Sequence, residues 1–210
     1  MSSCSMTLTS GICRGCRDNA GGLKAIYVAD YYSVDWDSFR AWEGTSGDPE
    51  GTVKGAVKDI QLLTSSERWY KLEPNKYSAS WTENINVSVE NGTLGYEQVV
   101  TGVFGKNSQE LRTTIEELSK GDLILILVDA NDKMWLIGEK NNGAYLSGGN
   151  SASGTALTDL NGWNVTFTCN AKKPALEVIP DTSTSGHIIS YLSEADSDCS
   201  TSESTAVSTN

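Results

Sequence analysis

Residues 81–104, WTENINVSVENGTLGYEQVVTGVF, carry the clearest structural pattern in the chain. Ile85, Val87 and Val89 alternate with polar residues, which is the period-two pattern of a half-buried β-strand. The dipeptide Asn-Gly at 91–92 follows, and it is the dipeptide best suited to a type I′ hairpin turn. A second apolar-rich strand then returns along the first. The stretch therefore predicts a long β-hairpin, and its edges need pairing partners.

The apolar face of this hairpin is the candidate assembly surface. Its edges could be completed by a neighbouring copy of the same protein, because pairing between copies removes exposed strand edges. The residues that we expect to serve assembly are Ile85, Val87, Val89, Tyr96, Val100 and Phe104. A slip of one residue would turn these side chains to the wrong face, so the pattern also defines how subunits meet. No catalytic or cofactor motif lies on the hairpin, so a function would come from assembly or surface recognition.

The remaining elements predict a mainly β domain with one flanking α-helix. Asn107 and Glu110 have the spacing of a capping box, and Leu111, Ile115 and Leu118 then form one apolar stripe of a surface helix. The run LILILV at 123–128 predicts a strand that is buried on both faces. Further strands are predicted at LKAIYVAD, MWLI and WNVTFTC, and a long loop at 148–161.

The composition of the chain predicts three segments. We expect an N-terminal arm at 1–22, the β domain at 23–178 and an acidic, Ser/Thr-rich extension at 179–210. After Lys173 there is no further Lys or Arg, and we expect residues 193–210 to be disordered or an extended arm that can be deleted without loss of the fold.

The net charge of −11 argues against a nucleic-acid clamp, because phosphate binding needs clustered Lys and Arg. It is compatible with a surface that DNA slides past, since like charges repel. The first residues lack the basic and long apolar segments of a secretion signal, and no segment has the length of a membrane span. The five cysteines should therefore be reduced in a cytoplasm, where the protein would be made.

Two other function classes remain open. An enzyme, such as a metal hydrolase, could use Cys13, Cys16 and His187, but no second Cys-x-x-Cys pair accompanies the first, and free thiols are the simpler interpretation. We therefore expect no enzyme activity, no metal and no cofactor. A carbohydrate-binding or adhesin module on a β-sandwich could use aromatic residues between positions 31 and 49, above all Trp36, Phe39 and Trp42. The same aromatics could instead pack as a small cluster over the edge of a sheet.

Three phrases in the chain resemble phage tail tube proteins, and more specifically a group of structural proteins from phages and prophages of Bacteroides-like bacteria. These phrases are D-x-x-G-G-x-K at 18–24, E-N-G-T-x-x-Y-E at 90–97 and S-G-T-A-x-x-D-L-N-G-aromatic at 153–163. The resemblance covers roughly residues 8–178. The phrases are descriptive rather than catalytic, and the aromatic stretch and the acidic extension lie outside the match.

The resemblance implies a β-sandwich or barrel whose copies form a ring around a DNA channel, hexameric or a multiple of it, with the hairpin in the tube wall. The protein would then be a virion structural protein whose partners are copies of itself, other tail or connector proteins, and DNA that passes without sequence-specific binding. No membrane is involved. The residues that could face the channel are Asn84, Asn86, Ser88 and Glu90.

Overall fold

The computed structural model describes residues 19–45, 48, 53–181, 188 and 191–196. The strands in this part of the chain are β1 Leu23–Asp30, β2 Val34–Ala41, β3 Val57–Leu62, β4 Tyr70–Leu72, β5 Ser80–Ser88, β6 Thr93–Gly105, β7 Leu123–Asp129, β8 Met134–Ile137, β9 Tyr145–Ala152, β10 Gly162–Ala171 and β11 Leu176–Val178. The α-helix α1 spans Gln109–Leu118, and a 3-10 turn spans Tyr31–Ser33.

The strands form two sheets. The large sheet has the order β2-β3-β11-β8-β7-β1-β4, and the small sheet has the order β5-β6-β10-β9. Neighbouring strands are antiparallel except for β3 and β11, which meet in a parallel bridge between Val57 and Val178. The predicted class is confirmed as mainly β, with two sheets and one flanking helix, but neither sheet closes into a barrel.

The principal core lies between the two sheets. Val100, Phe104 and Phe167 of the small sheet belong to the same buried cluster as Ile26 and Leu125 of the large sheet. Helix α1 covers one end of this cluster with the predicted stripe, in which Ile115 is buried while Leu111 and Leu118 are partly buried. Burial of this apolar stripe, more than helix propensity, holds so short a helix in place.

Strand β7 is buried on both faces, as the run LILILV predicts. Leu123, Leu125 and Leu127 face the core between the sheets, whereas Ile124 and Ile126 face a second core on the far side of the large sheet. Strand β3 and part of the C-terminal region contribute to this second core. An unbroken apolar run is therefore required here, because both faces of the strand are covered.

The start of helix α1 differs from the prediction by one residue. Ser108, not Asn107, is the N-cap, and its hydroxyl oxygen accepts a hydrogen bond from the Leu111 backbone N–H at 3.2 Å. The Ser108 backbone is extended, with φ −110° and ψ 164°, as an N-cap requires. The residue three positions on is then Leu111, so no capping box with Glu110 is formed.

The C-terminal region contradicts the expectation of a free arm from residue 193 onward. Residues 191–196 are helical, and Ile188 and Ala195 are buried in the second core. The Tyr27 hydroxyl donates a hydrogen bond to Asp196 Oδ1 at 2.7 Å, and Lys71 Nζ lies 3.0 Å from the same oxygen. Burial and the neighbouring Asp196 raise the pKa of Tyr27. The apolar and charged contacts together dock this segment on the domain, at least as far as Asp196.

Strand β2 lies where no strand was predicted, and β9 extends further than predicted. The aromatic stretch between 31 and 49 contains β2, which is an edge strand of the large sheet, and Trp36 lies 5.5 Å from Tyr31 and 6.2 Å from Phe39 between ring centres. The predicted loop at 148–161 begins too early, because β9 continues to Ala152. Glycines at 148–149 suggest a loop in sequence, but here they pair with β10.

Candidate assembly surface

The hairpin formed by β5 and β6 is one half of the small sheet, and its side chains alternate between two faces. Ile85 pairs with Tyr96, and Val87 pairs with Leu94, so these side chains share one face. Continuing along the same face of β6, Val100 and Phe104 point into the core between the sheets. The alternation in the sequence therefore defines the face of each of these residues correctly.

The half of the hairpin nearest the core is buried, and we call it the root. Val100 and Phe104 are 0% and 8% exposed. Gln98 is 1% exposed, and its side-chain amide donates to Glu83 Oε1 at 2.9 Å, while the Ala175 backbone N–H donates to the same oxygen at 2.8 Å. The root thus contributes directly to the fold of the single chain.

The other half, which we call the tip, is exposed in the single chain. Ile85, Val87 and Leu94 are 64%, 63% and 53% exposed, and Val89 is 90% exposed. The expectation of a half-buried strand is therefore wrong for Ile85, Val87 and Val89 within one copy. The physical reason is that β10 follows β6 only as far as Tyr96, so the tip extends beyond the packed part of the sheet.

The turn at the tip also differs from the prediction. Ser88 pairs with Thr93, so a loop of four residues connects the strands, and Val89 and Glu90 belong to the loop rather than to β5. Gly92 has a positive φ of 62°, whereas Asn91 does not have a positive φ. A type I′ turn requires positive φ at both central residues, so this turn is of another type.

The outward face of the small sheet is polar and nearly free of charge. Three of the four residues predicted to face a channel, Asn84, Asn86 and Ser88, share this face, while Glu90 lies in the turn. Across all four strands, which are fully described, the outward side chains include no Lys or Arg, and Glu97 is the one charged residue among them. Asn84 Nδ2 donates to Glu97 Oε2 at 3.4 Å.

Both edges of the small sheet lack a neighbouring strand in the described part of the chain. Strand β5 has nine residues and β9 has eight, and neither contains Lys, Arg or Pro. Natural proteins usually protect free edges with such residues, with bulges or with a covering segment. The one irregularity at β9 is a register shift against β10 at Thr166/Phe167. Within the described ranges, the backbone of each edge thus has no strand paired to its outer side.

A recess lies beside the tip, and we call it the notch. Its volume is about 510 Å³, and it is lined on one side by hairpin residues that include Asn86 and Leu94. Its floor is formed by the segments at 139–142 and 170–172. Lys172 lines the notch, and sequence analysis missed this position because nothing in the sequence brings it close to the hairpin.

A second recess of about 290 Å³ adjoins the notch, and Lys172 and Asn141 line both. Trp36, Phe39 and Gln98 line its interior. Near its mouth, Lys140 Nζ lies 2.8 Å from Asp37 Oδ1, and this contact lowers the pKa of Asp37. Lys172 and Lys173 also line this recess, together with Glu139, whose Oε1 accepts a hydrogen bond from the Lys172 backbone N–H at 3.2 Å.

The aromatic residues considered for sugar binding do not form one exposed platform. Trp42 is 5% exposed, its indole N–H donates to the Ile179 carbonyl oxygen at 2.7 Å, and Lys58 Nζ lies 4.3 Å from the ring centre. Trp36 and Phe39 are partly buried against the second core. The interpretation as a cluster packed over a sheet edge therefore fits this region better.

The residues considered for a metal or catalytic site, Cys13, Cys16 and His187, lie outside the described residues. Cys169 lies on β10, is fully buried, and has a pKa that burial raises to about 12. Within the described ranges, no group of three or more His, Cys, Asp or Glu side chains is placed to hold a metal ion.

Among the described residues, no helix is long and apolar enough to cross a membrane. Comparison of the chain with models of protein families, with curated proteins and with solved structures found no match. The functional conclusion therefore depends on the chain itself and on the resemblance described above.

Proposed function

We propose that this chain is a self-assembling structural subunit, a tail-tube or tail-ring protein of a phage virion whose copies form a ring around a DNA-conducting channel. The observation that carries the proposal is the small sheet, whose two edge strands have no outer neighbour among the described residues and which bears an exposed apolar tip. A monomer with such a sheet would be prone to uncontrolled pairing, whereas a closed ring uses every edge.

The topology of the small sheet is suited to a ring. Each strand in the order β5-β6-β10-β9 is antiparallel to the next, so β5 and β9 run in opposite directions. When copies are related by rotation, β9 of one copy lies beside β5 of the next, and the two strands are antiparallel. Their lengths of eight and nine residues match. The sheets of all copies would then form one continuous wall.

The outward face of that wall suits the passage of DNA. Tight binding of duplex DNA requires Lys and Arg at the phosphates, and this face has neither. Hydroxyl and amide groups keep the surface hydrated, and the net charge of −11 opposes adhesion at long range. We place the tip at the contact between copies, because its apolar side chains gain free energy when they leave water.

The proposal is tested by the size and shape of the purified full-length protein. Light scattering after gel filtration should give a multiple of the 22.6 kDa chain, and negative-stain microscopy should show rings or tubes with an open centre. A protein that stays monomeric at high concentration and across salt and pH conditions would contradict the proposal.

A matched pair of variants tests whether the edge of β9 forms the contact. At Gly148 an added Cβ meets no atom within 4 Å, so Gly148→Lys places a charge on the edge strand without a clash. Thr166 is its neighbour on the inner strand β10, in the same row and on the same face. We expect Gly148→Lys to remain folded and monomeric, and Thr166→Lys to assemble. Equal assembly of the two variants would exclude the β9 edge.

A further inference from the structure

The tip projects far beyond the start of β9, and by less beyond the end of β10, which pairs with β6 as far as Tyr96. Thr82, Val99, Thr168 and Tyr145 lie side by side in one row across the four strands. Strand β9 begins at this row, whereas β5 continues for six more residues to Ser88. At about 3.3 Å per residue, the tip therefore stands roughly 20 Å above the start of β9.

The notch is lined on one side by the hairpin of the same chain. Asn86, Thr93 and Leu94 belong to that side. Away from the hairpin, the turn that precedes β9 contributes Glu139, Asn141 and Asn142, and no residue of β9 itself lines the notch. Strands β10 and β9, at about 4.8 Å spacing, separate the hairpin from the strand position beyond β9, so a second hairpin placed there would stand beside the turn that lines the notch.

The ring arrangement brings such a hairpin to this place. Because β5 of the next copy lies antiparallel beside β9, its tip projects from the same end of the sheet as the notch. The tilt of strands in a closed wall shifts the register between copies, but it does not change which edges meet. The apolar face of that tip, with Ile85 and Val87, is turned to the side where the large sheet and the segment 138–144 lie.

Charge favours the same pairing. Residues 80–97 contain Glu83, Glu90 and Glu97 but no Lys or Arg, so the hairpin is purely acidic. Glu90 lies at its exposed end. Lys172 lines both the notch and the adjoining recess, Lys173 lines the recess, and Glu139 is the one acidic residue in either lining. Opposite charges at an interface steer association and select its register.

We propose that the hairpin tip of one copy docks against the notch of the next copy, with Glu90 beside Lys172 and with Val87 and Val89 withdrawn from water. The inference rests on the proposed ring, and it specifies which surface of the neighbour receives the tip. It also explains why the apolar tip is exposed in the single chain: its cover belongs to another copy.

Isotope-mixed crosslinking tests this contact. Equal amounts of ¹⁵N-labelled and unlabelled protein are assembled and treated with a carbodiimide, which joins a carboxylate directly to an amine. We expect peptides that join Glu90 to Lys172 or Lys173, about half of them with one labelled and one unlabelled partner, because copies mix at random. Crosslinks found only within one isotope, or Glu90 joined to lysines elsewhere, would overturn the contact.

Charge exchange gives a second, independent test. Glu90→Lys and Lys172→Glu should each raise the protein concentration needed for assembly by about threefold to tenfold, and the double variant should restore it, since exposed ion pairs have modest energies. Glu97→Lys is the control, because it makes the same change on the outward face. If wild-type rings form and these variants assemble normally, the docking site is wrong and the ring remains. If the wild type forms no assembly, both proposals fail.

Discussion

In the root and in the tip of the hairpin, side chains alternate between the same two faces, but the surroundings of the two halves differ. Val100 in the root is fully buried, while Val87 in the tip is 63% exposed, although both lie on the same face of the β5–β6 hairpin. The apolar side chains of the root lie in the core between the two sheets, whereas the tip extends past this core. Alternation therefore defines which way a side chain points, and the presence of a partner decides whether it is buried.

A third apolar surface completes the comparison. The second face of β7, with Ile124 and Ile126, is covered in part by Ile188 and Ala195 of the chain's own C-terminal region. In the part of the chain that the structure describes, then, one apolar face is covered by a sheet, a second is covered partly by a late segment, and the tip is exposed. In our proposal the cover of the tip is a neighbouring copy.

The largest effect is expected at the root. Val100→Asp places a carboxylate in the core between the sheets, which should cost about 4 kcal/mol or more of unfolding free energy and leave little folded protein. Circular dichroism and thermal melting measure the effect. The control is Val99→Asp, because Val99 is the next residue and points outward. Similar loss in both variants would show that the faces are assigned wrongly.

A smaller effect is expected when the second face of β7 loses part of its cover. A chain without residues 193–210 lacks Ala195 and the contacts of Asp196 with Tyr27 and Lys71. We expect a loss of about 1–3 kcal/mol, which lowers the melting temperature by roughly 2–10 °C in a domain of this size. A second truncation that removes only 197–210 keeps these contacts. Equal melting temperatures for the two truncations would contradict the docking.

The smallest effect on folding is expected at the tip. Val87→Asp should change the unfolding free energy of the single chain by about 1 kcal/mol or less, since the side chain is already in water. Light scattering should nevertheless show that it no longer assembles. Val99→Asp adds the same charge to the outward face of β6, which has a strand of its own sheet on each side, and should still assemble. A large drop in the melting temperature of Val87→Asp would show that the tip is packed within one copy.

Much of the fold follows from local patterns. Three strands appear as predicted, at LKAIYVAD, at MWLI and at the doubly buried run LILILV. Each is rich in residues that favour β-strands. Strand β2 was missed because its aromatic and acidic residues show no clear period, and the end of β9 was missed because Gly148 and Gly149 resemble a loop. Long-range pairing overrides such weak local preferences.

By itself, the sequence determines the hairpin, the face of the side chains on its two strands and the acidic, motif-poor character of the chain, because these depend on residue type and spacing. Only the tertiary structure decides that the root is buried and the tip is not, that β5 and β9 have no outer neighbour among the described strands, and that Lys172 lies beside the hairpin. Burial and edge exposure depend on where distant strands begin and end, and no local pattern contains that information.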